Sequence, residues 1–162
     1  MNNKEQFHKL LNDNIGIIQK ICRAYSNSEE EFKDYVQEVS YYLWKSIDTF
    51  KGESKVSTWV YRVTLNVCLT QLNKNKKISE KLIVNDQIEQ NFVHIQAPSE
   101  DPQITMLYDA IKQLKEIDKA IVMLYLEKKE LKEIANIMGM TVSNVGVRIN
   151  RLKKELKRII NG

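Results

Sequence analysis

"ELKEIANIMGMTVSNVGVRINRLKKELKRII", residues 130–160, holds two apolar helical patterns separated by a glycine. Leu131, Ile134, Ala135 and Met138 recur at three-to-four spacing, and after Gly139 the spacing resumes at Val145, Ile149, Leu152, Leu156 and Ile160. Thr141 or Ser143 can cap the second helix. A helix-turn-helix needs a small residue where its helices cross, a glycine that accepts positive φ in the turn, and an apolar anchor on the second helix. Ala135, Gly139 and Val145 meet those needs at separations of four and six. An ordinary helical hairpin with a solvated cationic face accounts for the charge, but not for the coincidence of three special positions.

In a helix-turn-helix the second helix enters the DNA major groove, so its non-core side chains become the candidate readers. Ser143, Asn144, Val147, Arg148 and Arg151 fall on that side. Arginine pairs with guanine and asparagine with adenine, which makes Arg148 and Asn144 candidate base readers. Arg151, Lys153, Lys154, Lys157 and Arg158 are the candidate phosphate contacts. Between Thr141 and Arg158, six basic residues stand against Glu155 alone.

Working outward, the 162-residue chain is predicted to be all-α, with two small helical domains joined by a flexible linker. Both prolines lie in "QAPSEDPQ", and the remaining chain has few helix breakers. Phe7, Leu10, Leu11, Ile18, Ile21, Cys22 and Tyr25 mark a first helix. Ser28 can cap a second, whose stripe is Phe32, Val36, Val39, Leu43, Ile47 and Phe50, and Gly52 ends it. Ser54 or Ser57 can cap a third, with Val56, Val60, Val63 and Val67 inward, closing at the basic "NKNKK". Thr58, Arg62, Asn66, Thr70 and Asn73 form the stripe opposite those valines. Residues 1–81 and 104–162 are the expected domains, and 82–103 the linker.

The net charge of +4 is unevenly spread. Residues 1–81 carry 13 basic and 10 acidic side chains, 82–103 none and four, and 104–162 twelve and seven. Two basic bodies around an acidic connector point toward nucleic acid as a partner. A hydrophobic content of 43% with 28% charged residues is that of a globular chain, and no apolar run approaches the ~20 residues of a membrane span. No membrane insertion is expected. The N-terminus lacks the pattern of a secretory signal, which makes a cytoplasmic location the default. Cys22 and Cys68 are read as reduced core residues, and no cofactor or metal site is expected because His8 and His94 have no ligand-like spacing. Asp34, Gln37 and Glu38 form an exposed set on the second helix; without a second carboxylate-and-His cluster they argue against an enzyme, and such an acidic-amide patch is more often solvated surface and sometimes docks a basic partner helix.

Two stretches, "DYVQEVSYYLWKSIDTFKGESKVSTWVYRVTLNVCLTQLNKNKK" and "LKEIDKAIVMLYLEKKELKEIANIMGMTVSNVGVRINRLKKELK", closely resemble the extracytoplasmic-function group of bacterial RNA polymerase sigma factors. Three motifs appear in family order: D-x-x-Q-E on the second helix, the F-[KR]-G-E-S loop leading into T-W-x-Y-R-x-x-x-N, and the helix-turn-helix. The resemblance implies that Asp34, Gln37 and Glu38 dock on core RNA polymerase. It implies that Lys51, Gly52, Ser54, Lys55, Ser57, Thr58, Trp59, Arg62 and Asn66 hold the promoter minus-ten element. Ser143, Asn144, Val147, Arg148, Arg151, Lys153 and Lys154 would read the minus-thirty-five element. An anti-sigma factor is an implied partner beside core polymerase and promoter DNA, and the linker would thread the polymerase cleft. Trp59 keeps two readings, core anchor or stacking surface. One departure stands out, since Gly146 occupies a position where the family commonly has Lys. A missing cation there should weaken one phosphate contact, and the glycine costs about 1 kcal/mol of helix propensity relative to Ala. The alternative for the whole chain is a stand-alone helix-turn-helix regulator.

Overall fold

The computed structural model describes residues 2–52, 55–82 and 101–162, with side chains left aside for 75–82. Among the described residues the ordered elements are all helical: α1 (Asn3–Tyr25), α2 (Glu29–Ser46), a 3₁₀ turn (Ile47–Thr49), α3 (Val56–Leu82), α4 (Pro102–Lys112), α5 (Glu116–Leu126), α6 (Leu131–Met138) and α7 (Val142–Asn161). They form two compact units, Met1–Ile95 and Gln96–Gly162. The expected linker, apart from Leu82 at the end of α3 and 101–103 at the start of α4, lies outside the described residues.

In the N-terminal unit, α1, α2 and α3 pack against one another around Ile18, Ile21, Tyr25, Tyr35, Val39, Leu43, Val60 and Cys68. Each boundary has a local cause. The Asn2 side chain accepts the Glu5 amide, and the Ser28 hydroxyl accepts the Glu31 amide, so α1 and α2 both start on side-chain caps. Glu29, Glu30 and Glu31 then sit at the positive end of the α2 dipole. The expected termination at Gly52 is corrected: α2 stops at Ser46 and the 3₁₀ turn follows. Gly52 lies beyond it with φ of +74°, a left-handed conformation that an L side chain resists.

The third helix departs most from expectation. It begins at Val56, which places Ser57 inside it, and it runs on past "NKNKK" to Leu82. Its inward face carries Thr58, Val60, Tyr61, Thr64, Leu65, Val67 and Cys68, while Val63 is half-buried and Val56 is exposed. That face is turned by roughly one residue, about 100°, from the valine stripe. Tyr61 and Cys68 bury more effectively than the valines at 56 and 63. Thr64 joins them at no polar cost because its hydroxyl donates to the Val60 carbonyl at 2.7 Å.

In the C-terminal unit, α4, α5 and α6 gather around α7. Asp101 caps α4, with Pro102 in its first turn. Ile111, Ile121, Leu124, Ile134, Val145 and Leu152 form the centre of its core. In the first turn of α5 Ile117 is exposed, and the residue after it, Asp118, is buried.

Candidate polymerase and DNA interfaces

The turn between α6 and α7 is built as the spacing requires. Gly139 adopts φ 67° and ψ 37°, and its amide donates to the Ala135 carbonyl. The Thr141 side chain accepts the Asn144 amide at 3.1 Å and opens α7. Val145, Ile149 and Leu152 hold the inner face, and Leu156 and Ile160 continue it half-buried. The opposite face leaves Ser143, Asn144, Val147, Arg151 and Lys154 exposed, Val147 at 67%. At about 100° per residue, Asn144, Val147, Arg151, Lys154 and Arg158 share one outward sector.

Two of the expected residues, half-buried Arg148 and exposed Lys153, lie on the flanks of that sector. Arg148 is half-buried, and its guanidinium donates to the Asp118 carboxylate at 3.2 Å. Arg148 lies one turn after Val145, on the flank of α7 that meets α5, and there a buried acid claims it. Arg151 approaches the same carboxylate at 3.6 Å while staying largely in solvent. Asp118 was missed at the sequence level, because a first-turn acid on α5 is ordinary and its partner lies 30 residues on. Lys153 lies on the other flank, with its ammonium 4.7 Å from the Tyr125 ring centroid. It borders an apolar groove of about 330 Å³ between α5 and α7.

On α2, Asp34 and Gln37 are exposed and Glu38 is half-buried, so the three form one outward patch as expected. The patch continues through Tyr41 and Trp44, 54% and 44% exposed, which the sequence reading had not included. Trp44 rests edge-on against Phe7 of α1, with centroids 5.2 Å apart.

Along α3, Asn66 and Thr70 are exposed and Arg62 is half-buried. Thr58, expected on this stripe, is only 4% exposed and belongs to the core. Lys51, Gly52 and Lys55 are exposed at the loop before the helix, Ser57 is half-buried, and Ser54 lies outside the described residues. Trp59 takes an intermediate position. It is half-buried, with its ring 5.0 Å from that of Phe50, so the two aromatics clamp the ends of the loop together.

Cys22 and Cys68 are free thiols with sulfurs 3.9 Å apart in the core. The hydrogen bond with Cys22, followed by burial, holds the Cys68 thiol well above its ordinary ionisation range. Among the described residues there is no metal-binding group of His, Cys, Asp and Glu, and no helix is long and apolar enough to cross a membrane.

The described residues form a three-helix unit with an acidic patch on α2 and a polar stripe on α3, and a second helical unit that ends in a helix-turn-helix. The sequence comparisons agree: Sigma-70 region 2 matches residues 10–78, and Sigma-70 region 4 matches residues 104–156. The chain belongs to the sigma-70 family, in its extracytoplasmic-function group. It is similar to the ECF RNA polymerase sigma factor SigG of Mycobacterium tuberculosis, at 34% identity over 56 residues. That match covers 35% of this chain and 15% of the relative. In fold it is similar to the sigma factor RpoE of Bartonella quintana, solved in complex with the anti-sigma factor NepR. The TM-score is 0.79 at 16% identity, over 97% of this chain and 98% of that one. CnrH, solved in complex with the cytosolic domain of CnrY, gives a TM-score of 0.70 at 16% identity, over 99% of this chain and 90% of that one. Nothing in these likenesses favours the stand-alone regulator.

Proposed function

We propose that this chain directs core RNA polymerase to promoters and starts transcription by holding two DNA elements and an opened strand. The N-terminal module, residues 1–81, docks on core polymerase through Asp34, Gln37 and Glu38. It holds the minus-ten element through Lys51, Gly52 and Lys55 before α3 and through Ser57, Trp59, Arg62 and Asn66 on α3. The C-terminal module, residues 104–162, reads the minus-thirty-five element through Ser143, Asn144, Val147, Arg151 and Lys154. Arg148 sets the angle of the reading helix through Asp118, and Lys153 contacts the flank.

The physical logic is differential binding. A protein that holds the opened strand better than the duplex turns transient base-pair breathing into a stable bubble without ATP. Unstacking a base costs a few kcal/mol, which a pocket for the extruded base recovers. Two weak DNA contacts on one chain reinforce each other, because the first raises the effective concentration of the second. The observation that carries this reading is one chain holding both an exposed Asn66–Thr70 stripe beside Arg62 and a cationic α7 face. The neighbour RpoE is held by an anti-sigma factor, and the same mode of control is proposed here, in the cytoplasm. Retention on immobilised core polymerase tests the docking surface. Asp34→Ala and Glu38→Ala, each folded by circular dichroism, should lose retention, and undiminished retention of the double variant would reject that surface.

A further inference from the structure

Cys22, in the last turn of α1, and Cys68, on the inner face of α3, bring two fully buried thiols into contact, with sulfurs 3.9 Å apart. Neither side chain belongs to the polymerase or DNA faces described above. We propose that this pair is a modification site, oxidised by a hydroperoxide to a reversible disulfide that locks α1 to α3.

The arrangement suits thiol chemistry. The chain has two cysteines, and although they lie 46 residues apart in sequence they meet sulfur to sulfur. Among the described residues no third His, Cys, Asp or Glu joins them to hold a metal ion. Closing 3.9 Å to the about 2 Å of a disulfide moves each sulfur by roughly 1 Å, within reach of side-chain rotation and a small helix shift.

The packed pair is inert, because the hydrogen bond with Cys22 and burial keep Cys68 protonated and the thiolate is the reactive form. The end of α1 supplies the opening. Cys22 lies within one turn of Tyr25, the last residue of the helix. Just beyond it the Ser26 hydroxyl is buried with no hydrogen-bond partner among the described residues. That hydroxyl regains water when the last turn opens, which lowers the cost of opening at this end and uncovers Cys22 first.

The Cys22 thiolate then attacks one peroxide oxygen and the O–O bond breaks. The departing alkoxide takes a proton from solvent and leaves as alcohol, or as water from hydrogen peroxide. The Cys68 thiol next attacks the sulfur of the Cys22 sulfenic acid, and hydroxide departs with the Cys68 proton as water. Two thiols and one hydroperoxide therefore give one disulfide, one alcohol and one water, with two electrons passing from sulfur to oxygen. The loop so closed contains all of α2, and restraining it in the unfolded chain stabilises the N-terminal unit.

The test treats the full chain with hydrogen peroxide under native conditions and follows tryptophan fluorescence on heating. Both tryptophans, Trp44 and Trp59, lie in the N-terminal unit, so the signal reports that unit alone. The treated chain is expected to yield a linked Cys22–Cys68 peptide on digestion without reductant and to unfold at least about 8 °C higher. Dithiothreitol should reverse both changes, which methionine oxidation would not allow. Cys68→Ala under the same treatment should keep its own midpoint and hold a sulfenic acid at Cys22 that dimedone captures. The site is overturned if the folded thiols stay unreacted in peroxide that oxidises the urea-unfolded chain, if they couple between chains, or if either goes directly to sulfinic acid. A linked peptide with no rise in midpoint would overturn the lock.

Discussion

Asp118, buried in the first turn of α5, accepts a hydrogen bond from the Arg148 guanidinium on α7 at 3.2 Å. The pair ties α7 to α5 within the C-terminal unit. Removing one partner of a buried pair costs about 3–5 kcal/mol, and the partial exposure of Arg148 reduces that to roughly 1–3 kcal/mol here. Arg148→Ala leaves Asp118 with Arg151 alone at 3.6 Å. Thermal unfolding of Asp118→Ala and Arg148→Ala should show losses of that size. A double variant no worse than either single would confirm the coupling.

Gly146 offers the opposite effect. It lies inside α7 with ordinary helical φ, and a Cβ there would meet only Leu131 Cδ1, at an ordinary van der Waals distance of 3.8 Å. Gly146→Ala should therefore stabilise the C-terminal unit by about 1 kcal/mol. In a domain of this size that raises Tm by about 4–8 °C, which calorimetry would detect.

Gly52 should respond in the other direction. No atom lies within 4 Å of a Cβ built there, so space is not the constraint. Its φ of +74° is, and Gly52→Ala is expected to cost about 1–2 kcal/mol and to disturb the loop before α3. Chemical denaturation measures the loss, and a permanganate assay of holoenzyme would show whether promoter opening falls with it.

Much of this was legible in the sequence, and the failures have physical reasons. Ser28, Gly139 and Thr141 announced their boundaries because caps and left-handed turns depend on one or two neighbouring residues. The phase of α3 was less legible. Valines at 56, 60, 63 and 67 suggested one stripe, but Tyr61, Thr64 and Cys68 moved the buried face, since a threonine can satisfy its hydroxyl on its own helix. The Asp118–Arg148 pair depends on side chains brought together from different helices, which no local pattern records.

The buried thiol predicts a pH dependence. Cys68 is held protonated in the fold, whereas in the unfolded chain it ionises near its ordinary value of 9.0. Its contribution to stability is complete below that value and is lost as pH rises above it, because the unfolded state then releases a proton that the folded state retains. Denaturation midpoints of the wild-type protein should fall between pH 8 and 10 more steeply than those of Cys68→Ala. Parallel pH profiles would refute this.

Run-off transcription tests the central claim most directly, with core RNA polymerase and genomic fragments from the source organism as templates. The account predicts discrete transcripts that require both this chain and core enzyme and that start downstream of paired minus-thirty-five and minus-ten sequences. Specific DNA binding by the chain alone, with no transcript gained when core polymerase is added, would contradict it.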